Sequence, residues 1–120
     1  MNDNVLCLYD INNKTLDFKG FLKMTDSITI KNSNNIKIKI KSKINKIIFK
    51  NCNDIKLKIS DMISGIEINN CKNLKIKIIK NKKINLIESY KSNVQIKLQE
   101  KQEKEIKFIL EESNIDLKLY

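Results

Sequence analysis

The side chains in this sequence that could do chemistry are lysines and cysteines. Among 120 residues there are 24 Lys, with no Arg, His, Trp or Pro. Without His, the usual general base near neutral pH and the commonest metal ligand are both missing. Without Arg there is no arginine finger and no bidentate clamp on phosphate or carboxylate. Cys7, Cys52 and Cys71 are odd in number and form no C-x-x-C pair, so neither a zinc site nor a disulfide framework is expected. The residue types therefore describe a binding protein: no catalytic residue, metal or cofactor is assigned. The formal charge of +10 favours acidic partners, although Ile, Lys and Asn, which make up over half of the chain, are also the residues of A/T-rich codons.

The lysines fall into a pattern, and that pattern specifies the elements that must carry them. Residues 36–40 read Ile-Lys-Ile-Lys-Ile, the strict alternation of a half-buried strand. The motif returns from Ile55, Leu74, Val94 and Ile115, and a weaker copy, residues 16–20, precedes them, so the period is near 20 residues. Such regular recurrence marks a solenoid, because no single repeat can bury its own apolar face. A second short apolar segment precedes each copy, at residues 5–8, 28–30, 47–49, 66–68, 84–87 and 106–110. Two strands and two connections leave no room for a helix in each repeat, and the leucine-rich signature is absent. The chain is expected to be all-β, a single domain over residues 1–120, forming a right-handed parallel β-helix of about six coils with two short strands per coil.

This arrangement accounts for other positions. The turns Asn32-Ser-Asn-Asn35, Asn51-Cys-Asn-Asp54 and Asn70-Cys-Lys-Asn73 nearly repeat, so stacked coils should set Asn above Asn in hydrogen-bonded ladders. Cys52 and Cys71 would stack at an interior corner as small hydrophobes. Glu88 stands where the pattern of Ile30, Phe49 and Ile68 asks for an apolar residue, and a bulge turning Glu88 outward and Ile87 inward would resolve it. The run QEKQEKE at residues 99–105 reads as a charged, solvated loop, and residues 21–26 as a connection between coils.

The outward positions of the second strand form two predicted ladders. One reads Lys19, Lys39, Lys58, Lys77, Lys97, Lys118; the other reads Asp17, Lys37, Lys56, Lys75, Gln95, Asp116. Lys37, Lys39, Lys56, Lys58, Lys75 and Lys77 thus make a compact basic block, a candidate docking face set against a plain solvated surface. Nucleic acid is not an expected partner, because no aromatic is interleaved with these ladders and no Arg is present to read guanine. The opening residues 1–4 carry no basic region and lead into no long apolar stretch, so no signal peptide is expected. The longest apolar run, Val5–Tyr9, is far short of the ~20 residues of a membrane helix. The reading is a soluble protein of the reducing cytoplasm.

Residues 43–52 (KINKIIFKNC) and 60–78 (SDMISGIEINNCKNLKIKI) resemble the C-terminal domain of cyclase-associated proteins. That family carries a similar G-K-I-x-S-I-x-x-x-N-C-K strand and a V-x-G-x-V-E-I-I-N-S-K strand in this order and spacing, and weaker similarity runs from Leu16 to Leu119. The resemblance implies a right-handed parallel β-helix that binds monomeric actin, prefers its ADP form, exchanges ADP for ATP and so regulates filament turnover at the cytoskeleton. It adds Lys72, in the Asn-Cys-Lys turn, to the candidate actin-binding lysines. In the family the domain continues past the equivalent of Leu119 into a strand-swapped dimer hairpin. With this sequence ending at Tyr120, a homodimer is expected through the last coil, at Phe108, Leu110, Ile115, Leu117, Leu119 and Tyr120. The alternative is a tubulin-folding cofactor C-like domain, which residues 86–89 (LIES) resemble at a P-I-I-E element. Those relatives act through an Arg in a Q-x-R-x-H-like motif, so only binding of tubulin or a small GTPase, without arginine-finger activity, would carry over.

Overall fold

Alternating Ile and Lys cannot sit in an isolated strand, because one side of it would leave a row of Ile in water. In the computed structural model, which describes residues 4–18, 20 and 22–120, every repeat answers this by contributing one strand to each of two parallel sheets. Sheet 1 holds β1 (Val5–Tyr9), β3 (Ser27–Lys31), β5 (Ile44–Lys50), β7 (Met62–Asn69), β9 (Leu86–Tyr90) and β11 (Lys107–Glu111), stacked in that order. Sheet 2 holds β2 (Asn12–Phe18), β4 (Asn34–Ile40), β6 (Asn53–Ile59), β8 (Lys72–Ile78), β10 (Asn93–Leu98) and β12 (Asn114–Leu119). The chain is an all-β, right-handed parallel β-helix of six coils, as the period predicts. Lys19 and Phe21, expected in a ladder and in a connection, lie outside the described residues, as do residues 1–3.

The core lies between the sheets. Ile36, Ile55 and Leu74 stack in one row, and Ile38, Leu57 and Ile76 in the next, all buried. Each such side chain contributes roughly 1.5–3 kcal/mol on leaving water, which offsets the ordering of a chain whose contacts are nearly all between coils. The corner between the sheets is made by paired left-handed residues. Asn32, Asn51 and Asn70 have φ of 51–53°, and Asn35, Asp54 and Asn73 have φ of 55–56°. Asn and Asp tolerate this region better than other side chains, so the Asn-rich turns are required by backbone shape as well as by their ladders. The ladders form: Asn70 donates to Asn51 at 2.7 Å, and Asn35 to Asn13 at 2.7 Å.

Three expectations are corrected. In the first coil Leu16 pairs with Ile38, Asp17 with Lys39 and Thr15 with Lys37. The weak copy therefore starts two residues earlier than its apolar pattern suggests, with Lys14 beside Ile36. An inward position at the end of the stack opens to solvent, and Lys14 is exposed there. Glu88 does point outward, above Glu67, but without a bulge: Ile87 pairs with Ile66 in unbroken register, and Ser89 takes the inward place beside Ile68. The irregularity lies a coil earlier, where β7 inserts a residue between Met62 and Gly65 opposite Ile44 and Lys46. Finally, the QEKQEKE run is no plain loop. It contains a short helix, α1 (Glu100–Glu105), whose Gln102 is only 4% exposed. The Gln102 amide donates to the Ile79 and Lys82 carbonyls at 2.7 and 3.0 Å, and its oxygen accepts from the Gln99 backbone at 2.7 Å.

Candidate functional site

Strands β4, β6 and β8 run side by side in register, so their outward residues stack. Lys37, Lys56 and Lys75 form one row and Lys39, Lys58 and Lys77 the other. Neighbouring strands are ~4.8 Å apart and alternate residues ~6.6 Å apart along a strand, so six ammonium-bearing stems leave a patch of about 10 by 7 Å. The fold thus brings together all six lysines of the predicted block. Lys97 beside Lys77 and Lys118 beside Lys97 extend the inner row. Gln95 and Asp116 continue the outer row, and Thr15 and Asp17 close the other end. Positive charge is therefore concentrated in the middle coils.

The lysine stems wall a shallow groove of about 480 Å³ that runs over the main chain at Ile38, Leu57 and Ile76, whose side chains face the core. Among the described residues the ion pairs lie elsewhere, at Lys46–Glu67 and Lys104–Glu100. Unneutralised like charges at strand spacing repel, and the long, flexible stems relieve this by letting the ammonium groups spread apart into water. Lys72 stands apart. It opens β8 at the corner, separated from Lys75 by the left-handed turn at Asn73.

The last coil leaves Leu110, Leu119 and Tyr120 exposed and Phe108, Ile115 and Leu117 half-buried, β11 and β12 being the end strands of the two sheets among the described residues. Tyr120 does more than the spacing predicts. Its hydroxyl donates to the Ile78 carbonyl and its ring centre lies 5.2 Å from the Lys77 ammonium. The expectation that no aromatic joins the lysine ladders is therefore corrected, since contacts across coils are invisible to spacing along the chain.

Two further features escape sequence reasoning. Ser33, Cys52, Cys71, Ser92 and Ser113 occupy equivalent corner positions, and each side chain donates to the carbonyl two residues before it. Ser92 and Ser113 also accept from the backbone of the coil below, at Cys71 and Ser92. The corner is a polar rail in an apolar core, and the stacked thiols are part of it. The hydrogen bond to Cys52, then burial, push Cys71 well above the usual thiol range, so it is held as a neutral packing group.

The second feature is the outer surface of sheet 1. Glu67 accepts from Asn69 at 2.9 Å and from Lys46 at 3.2 Å. These contacts, Asn69 foremost, hold its carboxyl below the ordinary range. Tyr90 donates to Glu88 at 2.7 Å, which raises the phenol above its ordinary value. Lys31 lies 5.5 Å from the ring centre of Tyr9. This surface mixes charges with apolar and aromatic groups, where sheet 2 presents mainly lysine.

Comparison with known proteins agrees with this architecture. No curated protein matches the chain in sequence. A solved structure, that of cyclase-associated protein from Cryptosporidium parvum, shares the fold with a TM-score of 0.82 at 22% identity, over 98% of this chain and 71% of that one. The model of the family described as adenylate cyclase associated (CAP) C terminal matches residues 5–109. With that match spanning nearly all six coils, the chain belongs to the CAP C-terminal domain family.

Proposed function

We propose that this protein binds monomeric actin and promotes exchange of ADP for ATP on it, so regulating filament turnover at the cytoskeleton in the cytoplasm. The observation that carries the reading is the family match over residues 5–109. The docking face is the lysine block of β4, β6 and β8, with Lys72 at its corner, and the last coil supplies a homodimer contact. None of this requires catalysis by the protein. An exchange factor needs only to bind actin more tightly when the nucleotide cleft is loosened than when it is closed, since a ligand shifts an equilibrium by its differential affinity. A tenfold preference for the loosened state corresponds to about 1.4 kcal/mol, within reach of a surface with several charged contacts. The lysines act mainly on encounter, raising the association rate and making it sensitive to salt.

The test is release of a fluorescent nucleotide from ADP-actin monomers with and without the protein. Acceleration that saturates with protein concentration is expected. Neither binding nor acceleration would overturn the reading, and pull-down of tubulin or a small GTPase instead would favour the cofactor C-like alternative.

A further inference from the structure

The lysine block is the middle of a longer feature. Lys39, Lys58, Lys77, Lys97 and Lys118 stand side by side on five consecutive strands of sheet 2. That row runs about 19 Å along the stack, at the usual strand spacing. Lys37, Lys56 and Lys75 run beside its first three members. The carboxylates of these outward rows, Asp17 and Asp116, lie on the end strands β2 and β12. A compact anion touches only a few of these ammonium groups, whereas a linear polyanion lying along the stack meets the whole row.

Tyr120 completes the feature. Its backbone N–H donates to the Leu98 carbonyl at the end of β10, and its hydroxyl reaches the Ile78 carbonyl at the end of β8. The ring therefore lies across the ends of the two strands that carry Lys97 and Lys77, with the Lys77 ammonium 5.2 Å from its centre. It is pinned at both ends, yet the residue is 49% exposed. A fixed, half-open aromatic ring beside a row of cations is the pairing that single strands use, phosphates on the cations and a base on the ring.

We infer that this face binds single-stranded nucleic acid, the strand running along the stack with its phosphates on the inner lysine row and a base stacked on Tyr120. The sequence argues against nucleic acid because no aromatic is spaced among the ladders, and the fold removes that objection by bringing Tyr120 to Lys77. A stacked strand carries one phosphate per about 3.4 Å, so the row spans about five of them. With no Arg to read guanine, binding is tolerant of sequence. A duplex keeps its bases stacked on one another and offers none to the ring. An acidic protein segment supplies charge but no base. The face is the one proposed for actin, and the test contains no actin, so its failure leaves that reading standing.

The deciding experiment is fluorescence anisotropy of a labelled decathymidylate between about 50 and 200 mM salt, with inorganic polyphosphate as a competitor that has charge but no base. For five phosphates, log affinity against log salt should fall with a slope of about −3.5. Lys58→Gln/Lys77→Gln/Lys97→Gln should flatten that slope by about 2 and weaken binding at least tenfold at the lowest salt. Lys91→Gln/Lys101→Gln/Lys107→Gln removes the same charge away from the row and should change affinity less than about threefold. Equal losses in the two variants would leave only the field of the net charge and overturn the site. Tyr120→Leu should weaken decathymidylate about fivefold or more and leave polyphosphate unchanged, and Tyr120→Phe should keep both. Unchanged polyphosphate binding also shows that the variant is folded. A Tyr120→Leu variant that treats the two ligands alike, or a duplex of the same length bound as tightly as the single strand, overturns the proposal.

Discussion

At the scale of single residues, the Asn-rich corners show how far letters alone carry. Their repetition makes the stacking of Asn on Asn legible, and Asn70 on Asn51 bears it out. Their left-handed backbone is not legible, because Asn also favours ordinary turns and ladders. Gly65 is a sharper case. It stands where β7 takes its extra residue, with φ of 107°, and a Cβ there would run into the Leu86 carbonyl of the next coil. Gly20 has φ of 73° but open space around it. Alanine at Gly20 should therefore cost about 1 kcal/mol from backbone strain alone, and alanine at Gly65 about 2–4 kcal/mol, since a neighbouring strand must also move. Urea unfolding of the two variants separates strain from collision, and equal midpoints would refute the collision at Leu86.

At the scale of elements, strands were readable wherever alternation was strong and misread where it was not. The copies from Ile36, Ile55 and Leu74 pair as their spacing requires. The first copy slipped by two residues because an end strand need not be apolar at every inward place, and Lys14 occupies one. Helix α1 was hidden for a different reason. Its buried residue is Gln102, and a polar letter in a charged run carries no sign of burial. The structure makes Gln102 the pin between two inter-coil connections, because its amide bonds the Ile79 and Lys82 carbonyls while its oxygen caps the helix at Gln99. Gln102→Ala leaves those carbonyls and the Gln99 N–H without this partner. A loss of about 1–3 kcal/mol is expected, with faster amide exchange concentrated at residues 79–82 and 99–105. Exchange that rises evenly over all coils would instead make Gln102 an ordinary contributor to global stability.

At the scale of the whole molecule, the period near 20 residues reveals the six-coil stack and the basic block of sheet 2, because both follow from alternation and register. The mixed outer face of sheet 1 stayed hidden, since its rows are assembled from six separated segments that share no motif. The same stacking allows a decisive test of the block. Six lysines in three adjacent strands repel one another in the folded state and attract an acidic partner, so they oppose stability while favouring encounter. Changing Lys37, Lys39, Lys56, Lys58, Lys75 and Lys77 to Gln keeps the first two methylenes of each stem and a polar end, and removes the charge. The variant should be as stable as the parent or slightly more so. Its association with actin should slow by about 10- to 100-fold at low ionic strength, and the difference should shrink as salt rises toward 0.15 M and the Debye length falls to about 8 Å. Stopped-flow association over a salt series, alongside thermal unfolding, measures both quantities. Slower binding from a destabilised variant would point to disrupted folding. An unchanged rate in a stable one would make the lysines a solvated surface and move the docking face elsewhere on the molecule.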